Sequence, residues 1–138
     1  MHRQGQLDQA EAVYKEILQS QPQNFNALQL LATIAGQRKN SEAAVKLFDQ
    51  ALKINPIHAI SLNNRGNALQ ELKRLDEALD SYDRALNLKP DYAEAYINRC
   101  NALKELKRLD EALDSYDRAL KLKPDFAEAY NNRGNALQ

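Results

Sequence analysis

The chain has 138 residues, in which 19 Lys and Arg residues balance 19 Asp and Glu residues. A formal net charge of zero argues against a dedicated nucleic-acid binder, since such proteins normally carry a basic excess. The single cysteine excludes an internal disulfide, and no apolar run approaches the roughly 20 residues of a membrane-spanning helix. We therefore expect a soluble protein of the cytoplasm, with neither a nucleic-acid nor a membrane partner.

The chain opens with a predicted partial repeat at 1–24. Residues 1–5 are interpreted as the end of one helix, and 7–19 as a second helix without its partner. From there prolines recur at a step of 34 residues, as Pro22, Pro56, Pro90 and Pro124. A fixed period of this length predicts a single array of stacked units. Its three complete repeats are placed at 25–58, 59–92 and 93–126, and a further first helix at 127–138.

Each complete repeat is predicted to form two helices joined by a short connector. In the repeat at 59–92, apolar or small residues three or four apart predict one helix over Ala59–Glu71 and a second over Leu75–Leu88. Pro90 ends the second helix, because proline lacks the amide proton and crowds the preceding turn. The two-residue connector at 73–74 is short enough to force the helices antiparallel.

Small residues are predicted where the two helices of a repeat approach closely. Gly66 and Ala78 are expected to face each other across the hairpin, with Tyr82 filling the space beyond them. In the next repeat Cys100 replaces the glycine, and we interpret it as a packing residue and not as a reactive thiol.

This pattern resembles the tetratricopeptide repeat family over almost the whole chain. The resemblance is carried by small, aromatic and proline positions at Gly66, Ala78, Tyr82, Ala85 and Pro90, and again at Ala112, Tyr116, Ala119, Pro124 and Gly134. It implies an all-α solenoid of helical hairpins that winds as a right-handed superhelix. It also implies that the first helix of each hairpin lines an inner groove, and that each hairpin is stabilised by its neighbours.

Arginines depart from the family pattern at one position that recurs at the repeat step. Arg65, Arg99 and Arg133 stand where the family usually has leucine. We expect their stems to be buried and their guanidinium groups to pair with an acid of a neighbouring helix, such as Asp83 or Asp117. The alternative directs these arginines into the groove.

Lysines depart from the pattern at the connector. Lys73 and Lys107 stand where the family usually has a glycine that ends the first helix. A lysine held there in the left-handed conformation costs up to about 1 kcal/mol.

The sequence offers no constellation for catalysis or for a cofactor. His2 and His58 are far apart, and neither has a second ligand at metal-binding spacing. Ser81 and Ser115 recur at the repeat step, which indicates structural positions and not a unique nucleophile. We therefore expect no enzyme activity, no cofactor and no metal site in these residues.

Asparagines recur along the predicted inner groove. Six of them keep the repeat step in pairs three residues apart, which places each pair on one helix face: Asn64, Asn67, Asn98, Asn101, Asn132 and Asn135. An amide both donates to and accepts from a peptide backbone, so these residues predict a site for an extended peptide. The arrangement resembles the asparagine ladder in the repeat domain of O-linked N-acetylglucosamine transferases. The alternative is that these asparagines bridge neighbouring helices or belong to the repeat consensus.

A rival subclass within the family is the carboxylate clamp, which grips the acidic C-terminus of a heat-shock chaperone. Asn67 and Asn98 match the clamp's asparagines. However, Asn63, Asn132 and Glu128 stand where the clamp has cations, and acidic groove residues repel a carboxylate.

The leading functional hypothesis is therefore a protein-interaction scaffold that binds an extended peptide or a partner helix in its groove. One alternative is the substrate-recruiting arm of a larger glycosyltransferase, with catalysis outside this segment. Another is a consensus-like array with no specific ligand. Unpaired helices at the two ends also predict head-to-tail self-association, because each end offers the apolar face that the other lacks.

Overall fold

The computed structural model describes residues 2–124. Within this range the chain forms seven α-helices and no strand. The helices are α1 (His2–Ser20), α2 (Phe25–Gln37), α3 (Ser41–Ile54), α4 (Ala59–Glu71), α5 (Leu75–Leu88), α6 (Ala93–Glu105) and α7 (Leu109–Leu122). The predicted all-α class is confirmed, and so are the predicted bounds of α4 and α5.

The helices pair as successive hairpins. Helix α2 packs on α3, α4 on α5, and α6 on α7, while α3·α4 and α5·α6 contacts join one hairpin to the next. The first helices of the hairpins also touch, α2 with α4 and α4 with α6. Three first helices therefore lie side by side, and we call their shared surface, which carries Asn64, Asn67, Asn98 and Asn101, the inner face.

Each first helix ends in the same hydrogen-bonded turn. At the end of α4, the amide of Arg74 donates to the carbonyl of Leu69 (2.9 Å) and that of Lys73 to Gln70 (3.0 Å). This pattern needs a residue in the left-handed region, and Lys73 has φ 61°. Lys39 and Lys107 adopt the same conformation, with φ 63° and 62°. The connector is thus the tight turn that the sequence predicts, with lysine in the strained position.

Helix α1 differs from the prediction of two separate helices. It runs without a break from His2 to Ser20, and Gly5, at the step where Lys39 ends α2, stays helical. Gly5 has no positive φ, so a glycine at this step does not by itself end the helix.

The core is built from rings and small residues. Tyr82, Tyr116 and Phe48 are buried at equivalent positions of α5, α7 and α3. A Cβ added at Gly66 would lie 2.5 Å from Cε1 of Tyr82, so the ring of Tyr82 leaves no room for a side chain at Gly66 in this hairpin.

Cys100 takes the position of Gly66 in the third hairpin. It is fully buried, and burial raises the pKa of its thiol to about 12. A thiol that stays protonated is a poor nucleophile. The interpretation of Cys100 as a packing residue is therefore supported.

Candidate functional site

The inner face contains two hollows, one on each side of α4. The first, of about 290 Å³, lies between α2 and α4, and the second, of about 380 Å³, lies between α4 and α6. Asn64 and Asn67 line the first hollow, and Asn67, Asn98 and Asn101 line the second. Four of the predicted site residues therefore lie on one continuous surface. Asn132 and Asn135 lie outside the described residues.

Two of these asparagines are held by buried tyrosines. The hydroxyl of Tyr82 donates to Oδ1 of Asn67 (2.7 Å), and that of Tyr116 donates to Oδ1 of Asn101 (2.8 Å). Burial raises the pKa of both tyrosines, so their hydroxyls stay protonated and remain donors. These bonds orient the amides and occupy only the oxygen. Within residues 2–124, the Nδ2 donors of Asn67 and Asn101 have no protein partner.

Asn98 bridges two first helices. Its Nδ2 donates to Oδ1 of Asn63 (3.0 Å), and Asn63 is only 2% exposed. For Asn98 the alternative interpretation, an asparagine that joins neighbouring helices, is thus supported. The bond is special to this pair, because Ile97 occupies the position of Asn63 one repeat later.

Asn64 makes the fewest hydrogen bonds of the four amides. It is half-buried at the edge of the first hollow, and neither its donor nor its acceptor has a hydrogen-bond partner within residues 2–124. An amide in this state can offer both groups to an incoming backbone.

Ion pairs cross the inner face between successive repeats. Lys39 Nζ lies 3.3 Å from Oε1 of Glu71, and Lys73 Nζ lies 3.1 Å from Oε2 of Glu105. These side chains are largely exposed, so each pair contributes little to stability. Lys39 and Glu71 leave the rim of the first hollow close to neutral, whereas the rim of the second hollow has Glu71 and Glu105 against the single cation Lys73.

Arg65 and Arg99 bond side chains of neighbouring helices and do not point into the groove. Arg99 donates from Nε to Oδ1 of Asp83 (2.8 Å) and from Nη1 to Oγ of Ser115 (2.6 Å). Arg65 makes the equivalent bonds to Asp49 on α3 and Ser81 on α5, both at 2.6 Å. The predicted pairing of Arg99 with Asp83 is confirmed, and the groove alternative is wrong for these two arginines. Arg133 lies outside the described residues.

The remaining candidates for chemistry are a histidine with a structural role and two kinds of site that residues 2–124 do not contain. His58 caps α4, because its Nδ1 accepts from the amide of Ser61 (3.2 Å). Between residues 2 and 124 no three His, Cys, Asp or Glu side chains form a metal-binding group. No helix in the same range is long and apolar enough to cross a membrane.

Sequence reasoning missed the first hollow. Its floor includes Phe48 and Ala68, and Gly36 lies at its side. The signal was present in the repeat alignment. Where the later repeats pair asparagine with tyrosine, the first repeat has Thr33 with Phe48, so the hydroxyl and the amide that it holds are lost together.

Comparison with known proteins identifies the repeat. Models described as tetratricopeptide repeat match residues 1–61 and 59–92, and a model described as TPR repeat matches residues 100–138. The solved structure of MamA is 24% identical, with a TM-score of 0.91 over 98% of this chain and 79% of that chain. At this identity the likeness shows the fold alone.

Two similar structures are tetratricopeptide domains. The first TPR of Spaghetti (RPAP3), bound to the HSP90 peptide SRMEEVD, is 26% identical, with a TM-score of 0.81 over 84% of this chain and 92% of that chain. The Arabidopsis OM64 TPR domain is also 26% identical, with a TM-score of 0.79 over 81% of this chain and 93% of that chain. No curated protein matches the chain.

Proposed function

This chain is built from tetratricopeptide repeats, and we propose that it is a protein-interaction scaffold that holds an extended peptide against its inner face. The observation that carries the proposal is the state of three amides on that face. Asn67 and Asn101 are oriented by tyrosine hydroxyls, and no residue of 2–124 bonds their Nδ2 donors or either polar group of Asn64.

Amides in this arrangement suit a peptide backbone. A backbone in extended conformation presents alternating donors and acceptors, and a fixed amide side chain can meet either. Since Asn67 and Asn101 are already oriented, little conformational entropy is lost when a peptide binds them. Contacts to the backbone place few demands on the side chains, so these amides supply affinity and the hollows supply selectivity.

The structural neighbours support a peptide ligand of this kind without naming it. The first TPR of Spaghetti is solved with an HSP90 peptide, SRMEEVD. In this chain Asn63, at a position where the carboxylate clamp has a cation, is buried and bonded to Asn98. Glu71 and Glu105 also lie on the rim of the second hollow. We therefore propose that the ligand does not bind through an acidic C-terminus.

A peptide-library selection on the immobilised protein tests the proposal. For a selected peptide, Asn64→Ala is expected to weaken binding about three- to tenfold, which corresponds to the loss of one hydrogen bond. Asn87→Ala, an exposed asparagine on α5 away from the inner face, is the matched control and is expected to bind like the wild type. Failure to select any peptide, or equal binding by Asn64→Ala, contradicts the proposal.

A further inference from the structure

The first hairpin departs from the other two at positions around the first hollow. In each case it carries a shorter or less polar side chain: Thr33 for Asn67 and Asn101, Gly36 for Gln70 and Lys104, and Phe48 for Tyr82 and Tyr116. These changes meet in space, because Thr33, Gly36 and Phe48 all line the hollow of about 290 Å³ between α2 and α4.

The hollow has an apolar floor and a polar rim. Phe48 and Ala68, which are 1% and 5% exposed, line its inner part. Asn64 and Asn67, whose Nδ2 donors have no partner within residues 2–124, also line it. The second hollow differs, since its lining consists of Asn, Gln, Glu and Lys side chains alone. Of these two hollows, the first is therefore the one that combines apolar space with amides open to a peptide backbone.

Gly36 keeps this hollow open without being needed by the fold. A Cβ added at Gly36 would meet nothing within 4 Å, and its φ is not positive. A glycine inside a helix destabilises it by about 1 kcal/mol relative to alanine. Gly66 shows the contrast, because the ring of Tyr82 leaves no room for a side chain there. The absence of a side chain at Gly36 thus leaves the hollow open, and the packing of the helices does not require it.

We infer that this hollow is a specificity pocket for one uncharged aliphatic side chain, of the size of leucine, isoleucine or methionine, on a bound extended peptide. The inference rests on the proposed function, since Asn64 and Asn67 would hold the peptide backbone at the pocket's edge. A charged side chain is rejected, because it would lose water against Phe48 and Ala68. The ion pair of Lys39 with Glu71 leaves no net charge at the rim to compensate for that loss.

The pocket-filling variant is Gly36→Gln, which introduces the residue that Gln70 provides in the next hairpin. Gly5→Gln is the matched control, since it makes the same change in a helix where nothing lies within 4 Å. Peptides selected on the wild type are expected to share one aliphatic position. Replacing that residue by alanine should weaken binding at least tenfold. Gly36→Gln should weaken the parent peptide by a similar factor and leave the alanine peptide unchanged, while Gly5→Gln changes neither.

A second measurement tests the pocket without a peptide. Isoamyl alcohol, which mimics a leucine side chain, is titrated into isotopically labelled protein and followed by NMR. We expect shifts confined to residues around Gly36, Phe48 and Ala68 in the wild type and in Gly5→Gln, and their loss in Gly36→Gln. Selected peptides without an aliphatic preference overturn the pocket but not the peptide scaffold. A pocket that takes the alcohol while no peptide is selected overturns the peptide scaffold and, with it, the peptide as occupant. If the alcohol causes no localised shift in the wild type, the pocket itself is overturned.

Discussion

At the scale of single residues, the connectors place lysine where backbone geometry favours glycine. Lys39, Lys73 and Lys107 have φ values of 61–63°, a backbone conformation that residues with a Cβ rarely adopt. The backbone hydrogen bonds of the turn require this conformation, so the strain is retained. The side chain of Lys73 forms an ion pair with Glu105 of the next first helix (3.1 Å). Because this pair is exposed, its stabilisation offsets little of the backbone strain at Lys73.

Relieving this strain gives a direct prediction. Lys73→Gly is expected to unfold with a free energy about 1 kcal/mol higher than Lys73→Ala, since only glycine adopts the left-handed region without a steric penalty. Both variants lose the pair with Glu105, so their difference reports the backbone alone. Urea denaturation measures it, and equal midpoints for the two variants would contradict the strain.

At the scale of helices, an arginine ties three of them together. Arg99 on α6 bonds Asp83 on α5 and Ser115 on α7, and Arg65 repeats the arrangement one hairpin earlier. Both arginines are mostly buried, with side chains 20% and 16% exposed. The family's usual leucine would fill such a position by packing, whereas here the contact between hairpins is made polar and directional.

Removing the arginine is expected to loosen this junction. Arg99→Leu should lower the free energy of unfolding by about 1–3 kcal/mol, because Ser115 is fully buried and loses the partner that Nη1 provides. Arg84→Leu, whose side chain is 46% exposed, is the control and should change stability by less than about 0.5 kcal/mol. Adding Ser115→Ala to Arg99→Leu should cost less than the sum of the two single changes, and strict additivity would argue against coupling.

At the scale of the whole molecule, each hairpin contacts mainly its neighbours. Among residues 2–124, the main contacts between helices join sequential helices and successive first helices along the stack, from α1 to α7. Stability in such an array is close to a sum of hairpin and interface contributions. The predicted head-to-tail self-association joins the start of the chain to residues 127–138, which lie outside the described residues, and it stays a prediction.

Deleting one hairpin tests this additivity. Removal of 59–92 joins His58 to Ala93, so that Arg99 meets Asp49 in place of Asp83, at the same step of the repeat. We expect unchanged helicity per residue by circular dichroism, with a lower urea midpoint and a smaller m-value. Removal of 59–91 shifts the register by one residue and should fail to pack. Equal behaviour of the two deletions would refute the nearest-neighbour picture.

The sequence alone determined the repeat, the class and the position of four candidate site residues. Prolines, small residues and aromatics all recur at a step of 34 residues, and this shared period predicts a stack of helical hairpins. Helix periodicity then puts Asn64 with Asn67, and Asn98 with Asn101, on one face. The structure confirms this placement, while the binding of a peptide there stays a proposal, as does the likeness to the repeats of O-linked N-acetylglucosamine transferases.

Only the tertiary structure decided which of those asparagines are already engaged and where the surface is open. Asn98 turned out to bond Asn63, and the hollow at Gly36 emerged between α2 and α4. Both depend on side chains from different helices meeting across distances that sequence periodicity does not encode. Helix α1 likewise continues through Gly5, which shows that a glycine at the connector step does not by itself end a helix.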